Sequence, residues 1–269
     1  MKEKLKRIVW PLIYLVLITN VCLSFILVFR SYYYRSIFVS GSSMEPTLNG
    51  SGQYVDYGII DDHKNAINNL KRFQIITTFY PFANKSKDYV GGYVHGGINV
   101  VDKKESSYKI KRVYGFPGET IRFELDEEMV DLAKSYSDGY CEAAQYAARK
   151  AIKFYVKGIG SNDFVEQKLS FKRKIAIAHI DNYDDYEITL GFDEYWVMGD
   201  NYSASSDCFS EKAPIYYENI VGVLIAIEGT CIARPKVKEN PTTTQDGNEG
   251  TYDYYFECTN RRRHFPVFY

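Results

Sequence analysis

Residues 8–29 read IVWPLIYLVLITNVCLSFILVF, and no charged side chain interrupts them. At 1.5 Å per residue, a helix of that length covers roughly 33 Å, against a hydrocarbon core of about 30 Å. Pro11 stands near the start of the run, where a helix tolerates proline best. The run is longer than the core of a cleavable leader, and Arg30 follows where small residues would mark a cleavage site. The expectation is therefore a retained single-pass anchor over 8–29. Lys2, Lys4, Lys6 and Arg7 outweigh Glu3 ahead of it. That excess assigns residues 1–7 to the cytoplasm and 30–269 to the outer face of the plasma membrane, with the lipid bilayer as partner.

The remainder reads as one water-facing domain. A mean hydropathy of −0.31 speaks against further spans. The 33 Lys plus Arg against 34 Asp plus Glu exclude a basic nucleic-acid wrapper, so no nucleic acid is expected as partner. The 25 Tyr and 16 Phe favour strands. Short β-rich runs occur at Gln53–Tyr57, Phe73–Phe79, Tyr108–Tyr114, Lys174–Ala178, Tyr195–Met198 and Val221–Ile227, separated by Gly, Pro and Asn clusters. The fold class expected is mainly β, a sheet or barrel. Over 126–152, Met129, Leu132, Tyr136, Tyr140, Ala143, Ala144, Ala147 and Ala151 recur at helical spacing, with Gly139 weakening the middle. That predicts one or two amphipathic helices inserted between strands and buried against the sheet. Residues 235–250 are polar and rich in turn formers, so a loop is expected there. The aromatic tail that follows is expected to dock back as a strand, with Arg261–Arg263 on a solvated face.

Three clusters can carry chemistry. The first is Ser40-Gly41-Ser42-Ser43-Met44-Glu45-Pro46-Thr47-Leu48. Small residues around a serine, with a proline fixing the exit, let another backbone approach its hydroxyl; a plain turn gives the same pattern. The second is Lys109-Ile110-Lys111-Arg112-Val113-Tyr114-Gly115-Phe116-Pro117-Gly118-Glu119, a strand running into a tight turn. Alternation puts Lys109, Lys111 and Val113 on one face, and Ile110 and Arg112 on the other. A lysine sharing a face with an apolar neighbour can be kept neutral by desolvation. The third is Met198-Gly199-Asp200-Asn201-Tyr202-Ser203-Ala204-Ser205-Ser206-Asp207. It lacks the sixth-place Gly and twelfth-place Glu of an EF-hand loop, which speaks against calcium. His63, His95, His179 and His264 form no HExxH pattern, and the five Cys form no CxxC pair.

In order, the anchor, SxSMxPTL, KRVxGxPGE and GDNxxxSxD, with 68 residues from Ser43 to Lys111, resemble the bacterial type I signal peptidases. The resemblance covers nearly the whole chain apart from the helical insertion and about the last thirty residues. It implies a membrane-bound serine endopeptidase with a β-sheet or barrel catalytic domain and no metal or organic cofactor. Its substrates would be preproteins, cut after small residues at −1 and −3 of their signal peptides. Ser43 matches the nucleophile and Lys111 the general base. Ser205 matches a serine that hydrogen-bonds and orients the lysine, and Asp207 an aspartate that supports the site. Val39, Met44 and Ile110 match the lining of a small apolar pocket for the residue before the cut. The backbone N–H of Ser43 is the first donor for the oxyanion; the second is a backbone amide or Ser42.

The chain departs from the pattern in two places. The usual Arg-Gly-Asp-Ile-Val box is Arg72-Phe73-Gln74-Ile75-Ile76 here, and Cys208-Phe209 stand where Ser-Arg usually follows the aspartate. Two readings stay beside the general peptidase: a non-catalytic assembly factor, as in pilus building, and a peptidase dedicated to pilin or surface subunits. The outward topology also permits a disulfide between Cys231 and Cys258, closing the polar loop, with Cys22, Cys141 and Cys208 left to packing.

Overall fold

The apolar run folds as a single helix, α1 (Lys2–Tyr33), which contains Pro11 in its first turns. Among the described residues it is the one helix long and apolar enough to cross a membrane. Its Val9–Val28 stretch has a mean hydropathy of 2.4 and buries nothing against the rest of the chain. The computed structural model describes residues 2–51, 54–79, 92–95, 98–101, 108–182, 185–243 and 249–260.

Beyond α1 the chain is mainly β. In order come β1 (Tyr34–Phe38), β2 (Tyr54–Asp61), the short α2 (Lys64–Asn68), β3 (Ile75–Phe79), β4 (Gly92–His95), β5 (Ile98–Val101), β6 (Tyr108–Gly115) and β7 (Thr120–Leu125). Next are helices α3 (Glu127–Lys134) and α4 (Glu142–Ala151), then β8 (Ile152–Lys157), β9 (Val165–Glu166), β10 (Tyr186–Thr189) and β11 (Glu194–Met198). The short α5 (Cys208–Glu211), β12 (Ile215–Tyr216), β13 (Ile220–Thr243) and β14 (Glu249–Asn260) complete the order.

One antiparallel sheet runs β1-β2-β13-β3-β6-β11-β12, with β14 added on β13; a second runs β10-β7-β8-β9, and β4 pairs with β5. The first two meet around a large aromatic and aliphatic core that includes Trp196, Tyr114, Phe123 and Phe154. A smaller apolar cluster gathers Val39, Met44, Leu48, Ile60, Ile75, Ile110, Leu224 and Ile227. Strand β6 serves both, giving Ile110 to the small cluster and Val113 and Tyr114 to the large one. Because both faces are covered, every residue from Ile110 to Gly115 is buried. That is how a strand comes to carry Lys111 and Arg112 into the interior.

The insertion is two helices. Asp126 caps α3, its carboxylate accepting from Met129 N at 3.3 Å. Val130, Ala133, Ala147, Ala148 and Ala151 join the large core, so the helices pack on the sheets as the periodicity predicts. Leu132, Tyr136, Tyr140 and Ala143 are exposed instead: Leu132 lies on the outer face of α3, and the break at Ser135–Cys141 resets the face between the two helices.

Two expectations are corrected. Lys174–Ala178 is no strand. Gln145 from α4 donates to Ile175 O at 2.8 Å and accepts from Ile175 N at 3.2 Å, so a side chain satisfies the backbone there. Lys174 makes a single bridge to Asn201, and a 3-10 turn follows at Ile177–Asn182. The expected loop over 235–250 is also mostly strand, since β13 continues to Thr243 and β14 begins at Glu249. Past Ile232, β13 pairs with β14 alone. Such an edge tolerates the missing N–H groups of Pro235 and Pro241, and the tyrosine-rich β14 supplies the partner. The docked tail strand is thus present to Asn260; Arg261–Arg263 lie outside the described residues. Cys231 of β13 and Cys258 of β14 are joined by a disulfide, with Cα atoms 4.1 Å apart.

Candidate active site

β6 is paired on both edges, Lys111 opposite Ile76 of β3 and Arg112 opposite Met198 of β11. Lys111 is therefore fixed at its backbone and 2% exposed. Its Nζ donates to Ser43 Oγ at 2.9 Å and to Ile110 O at 3.2 Å. Desolvation, aided by the charge of Lys109, lowers its pKa to about 8, against weaker opposing pulls from Cys208 and Asp200. At that pH about half of the amine is neutral and above it most is, and the same contact can then run with the hydroxyl as donor.

Ser43 sits in a tight turn held from both sides. Behind it, Met44 and Leu48 sink into the small cluster, and Thr47 N and Leu48 N both donate to Met44 O, at 2.9 and 3.0 Å. The Glu45–Pro46 peptide is cis. In front, Asn201 N donates to Ser43 O at 2.9 Å and Asn201 Nδ2 to Ser42 O at 3.0 Å. Ser43 N makes no hydrogen bond among the described residues. Gly41, two residues before, takes φ 90°, where glycine is at home. Val39, Met44 and Ile110 lie together in the small cluster, so the three residues matched to a small apolar pocket do share one place.

Gly199 is the pivot between the serine turn and the third cluster. A Cβ there would overlap both Ser43 O and Ser205 Oγ. Ser205 is thus beside the pair, but its buried Oγ has no hydrogen-bond partner among the described residues, so the expected bond to Lys111 is not made. Asp207 is buried and has no cationic partner among the described residues. Its carboxylate accepts from Gly199 N at 2.9 Å, Phe209 N at 3.1 Å and Ser210 N at 3.3 Å. Burial raises its pKa to about 7, with those three N–H groups pulling the other way. The arginine missing after Cys208 is thus replaced by backbone donors at the start of α5.

A second charged pair was not assigned from sequence. Arg112 clasps Asp200 with Nε to Oδ1 at 2.8 Å and an Nη to Oδ2 at 2.6 Å, and its other Nη donates to Phe73 O at 2.7 Å. Thr47 Oγ1 also donates to Asp200. Phe171 stacks on the guanidinium, 3.9 Å from its ring centre. The signal was available in the alternation of β6, which aims Arg112 away from Lys111 and toward the Gly199-Asp200-Asn201 strand end. Phe73 itself takes φ 68°, a conformation favouring glycine, and wedges its ring among Tyr114, Phe154 and Phe171.

A half-buried serine within hydrogen-bond reach of a desolvated lysine can lose its proton to that amine as its oxygen attacks a carbonyl carbon. The family model described as "Signal peptidase, peptidase S26" matches residues 12–228. The chain is 22% identical over 222 residues to signal peptidase I U of Bacillus subtilis (strain 168), covering 82% of this chain and 86% of that one. To signal peptidase I P of Bacillus subtilis subsp. natto it is 23% identical over 186 residues, covering 67% and 69%. A family match over that span, well beyond half of its length, makes this chain a member of the S26 signal peptidase family of serine hydrolases.

Proposed function

We propose that the protein is a membrane-anchored endopeptidase that removes signal peptides from exported proteins, with Ser43 as nucleophile and Lys111 as general base. The observation that carries this reading is the 2.9 Å contact between Ser43 Oγ and a lysine amine buried enough to be neutral near pH 8.

The chemistry then runs on this chain's own groups. Ser43 Oγ attacks the scissile carbonyl carbon as its proton passes to Lys111 Nζ. The oxyanion is met by the uncommitted N–H of Ser43 and a second donor nearby. The C–N bond breaks, the Lys111 ammonium returns its proton to the leaving amine, and an acyl-enzyme remains on Ser43. Water, deprotonated in turn by Lys111, attacks the ester and restores the serine. Asp207 acts through Gly199 N, and Ser205 through its place against Gly199, so both are positioning residues. Val39, Met44 and Ile110 shape a pocket for a small residue at −1. The unpacked apolar surface of α1 supports insertion in the bilayer, and the charge excess before it supports a cytoplasmic N-terminus with the catalytic domain outside.

The test is incubation of the detergent-purified protein with a panel of preproteins and pilin or surface-subunit precursors, with cut sites mapped by mass spectrometry. Cuts after small residues across the panel support a general enzyme, and cuts in one precursor class a dedicated one. No cuts by wild-type protein would move the reading to a non-catalytic assembly factor. Protease shaving of intact protoplasts should remove the chain beyond Arg35; a protected domain would overturn the topology.

A further inference from the structure

The helical insertion and the segment after β9 enclose a groove of about 610 Å³ whose lining includes Arg149, Lys150, Lys153, Lys168, Lys172 and Arg173. Glu166 is the one carboxylate in that lining. On a chain of formal net charge −1, this is a local concentration of positive charge. Arg149 is answered by Glu142 at 2.7 Å and Lys153 by Asp126 at 2.9 Å. Lys150, Lys168, Lys172 and Arg173 have no carboxylate partner among the described residues. Arg173 stands out because it is 5% exposed. Its guanidinium donates to the carbonyls of Arg149 and Ile152 and to Tyr202 Oη, all neutral acceptors. A buried cation answered only by neutral dipoles favours an anion arriving from the open side.

The groove adjoins the Ser43–Lys111 pair by two routes. Arg173 precedes Lys174, which bridges to Asn201, and Asn201 N holds Ser43 O. Lys174 also reaches the serine turn by its side chain, its Nζ lying 3.7 Å from Glu45 Oε2. Two strand spacings separate Ser43 from Lys174, on the order of 10 Å, or three to five residues of extended chain on reaching the groove. The anchor, by contrast, joins the large sheet at β1, and β6 stands four strands away, roughly 19 Å along the sheet. The groove belongs to the second sheet beyond β6, so a polypeptide at the site reaches it more readily than a lipid headgroup at the base of α1.

From this juxtaposition we infer that the groove binds an acidic stretch of the substrate polypeptide a few residues from the scissile bond, on the mature side, because the apolar core of a leader carries no charge to answer it. The inference rests on the peptidase reading and adds a specificity to it: precursors with Asp or Glu early in the mature chain are preferred.

Peptides with one cleavage site, carrying either Asp and Glu or Asn and Gln at the positions after the cut, test it. They would be given to full-length protein in phosphatidylcholine nanodiscs, as wild type and as Lys168→Gln/Lys172→Gln. Both lysines are exposed and outside the catalytic machinery. Wild type should show about fivefold higher kcat/KM on the acidic peptide at low salt, from two or more surface charge pairs. High salt or the double variant should erase that preference while leaving the neutral peptide unchanged. Binding of both peptides to a Ser43→Ala protein, read by fluorescence anisotropy, should show the same preference. Equal handling of the two peptides by wild type in both assays overturns the inference. So does a double variant whose only defect is lost stimulation by added phosphatidylglycerol, which would make the groove a lipid site. Failure to cut either peptide, with anisotropy still favouring the acidic one, would sink the peptidase reading and spare the groove.

Discussion

Arg112 and Asp200 form a bidentate ion pair across β6 and the end of β11, with contacts of 2.8 and 2.6 Å and Asp200 wholly buried. This pair ties the strand carrying Lys111 to the segment whose Asn201 grips the Ser43 turn. Removing one partner leaves the other charge buried and unanswered, which costs about 3–5 kcal/mol. Asp200→Ala should therefore lower the unfolding free energy by about that amount in urea titration, and Arg112→Met/Asp200→Leu together should recover most of it. A single-variant loss below about 1 kcal/mol would show that the pair is solvated in solution.

Gly199→Ala tests the close approach of the two loops. The added Cβ meets Ser43 O and Ser205 Oγ, and only the latter is the end of a side chain. Overpacking of this kind costs about 1–3 kcal/mol. The displaced Ser43 turn should cut cleavage by about 100-fold, since a shift of about 1 Å costs that much at a reacting centre. Ser205→Ala added to Gly199→Ala should restore stability in part and activity little, because Ser43 O remains in the way. Full activity of Gly199→Ala would mean that the turn and the loop move independently.

Much of this was legible in the sequence, and the parts that were not have a common cause. The closeness of Ser43 to Lys111, and of Val39, Met44 and Ile110 to one another, was implied by the family resemblance, whereas the two-helix insertion and the Cys231–Cys258 bridge follow from periodicity and topology. Lys174–Ala178 misled because its backbone is satisfied by Gln145, a partner 30 residues away that no local pattern reveals. The extension of β13 to Thr243 overrides two prolines because its partner strand arrives from downstream. Phe73 shows the converse: a bulky residue holds a glycine conformation because three aromatic rings and Arg112 fix it from outside.

Asp207 should set an acid-side pH dependence of stability. Its folded pKa of about 7 lies above the ordinary aspartate value of 3.8. The folded state thus binds the proton more tightly than the unfolded one between those values, and this group's contribution to stability falls as pH rises from about 4 to 7. Asp207→Asn removes that titration but turns an amide N–H toward Gly199 N, a donor facing a donor. The variant should be less stable by about 1–3 kcal/mol, most so at low pH, with the gap narrowing toward pH 7. Urea titrations of both proteins across that range check it; a gap that widens instead would mean that Asp207 stays ionised.

The disulfide closes a segment of 27 residues between β13 and β14. Loop-closure entropy for that length gives about 3–4 kcal/mol. Peptide mapping of unreduced, alkylated protein should recover Cys231 and Cys258 linked and Cys22, Cys141 and Cys208 free. Reduction should lower stability by roughly the stated amount. Recovery of both as free thiols would remove the bridge from the folded protein.

Lys111 makes the sharpest demand. Its folded pKa of about 8 lies below the ordinary lysine value of 10.5. The unfolded chain holds the proton more tightly between those limits, so the cost of burying Lys111 is present in full below about pH 8 and fades as pH rises toward 10.5. Wild-type stability should climb over that window relative to Lys111→Met, which has no titration there. If Lys111 is the general base, as proposed, only its neutral form is active, so kcat/KM should rise with pH through about 8 and then level off. Lys111→Ala should lower cleavage by at least about 10³-fold, and Lys111→Arg as much, since a guanidinium stays protonated. Ser43→Ala should match that loss, and the double variant should add little, because the two act as one unit. A folded Lys111→Ala protein that cut a preprotein at the wild-type rate would place the base elsewhere. In that case the alkaline rise should persist in the variant, whereas loss of the rise together with the activity assigns both to this one amine.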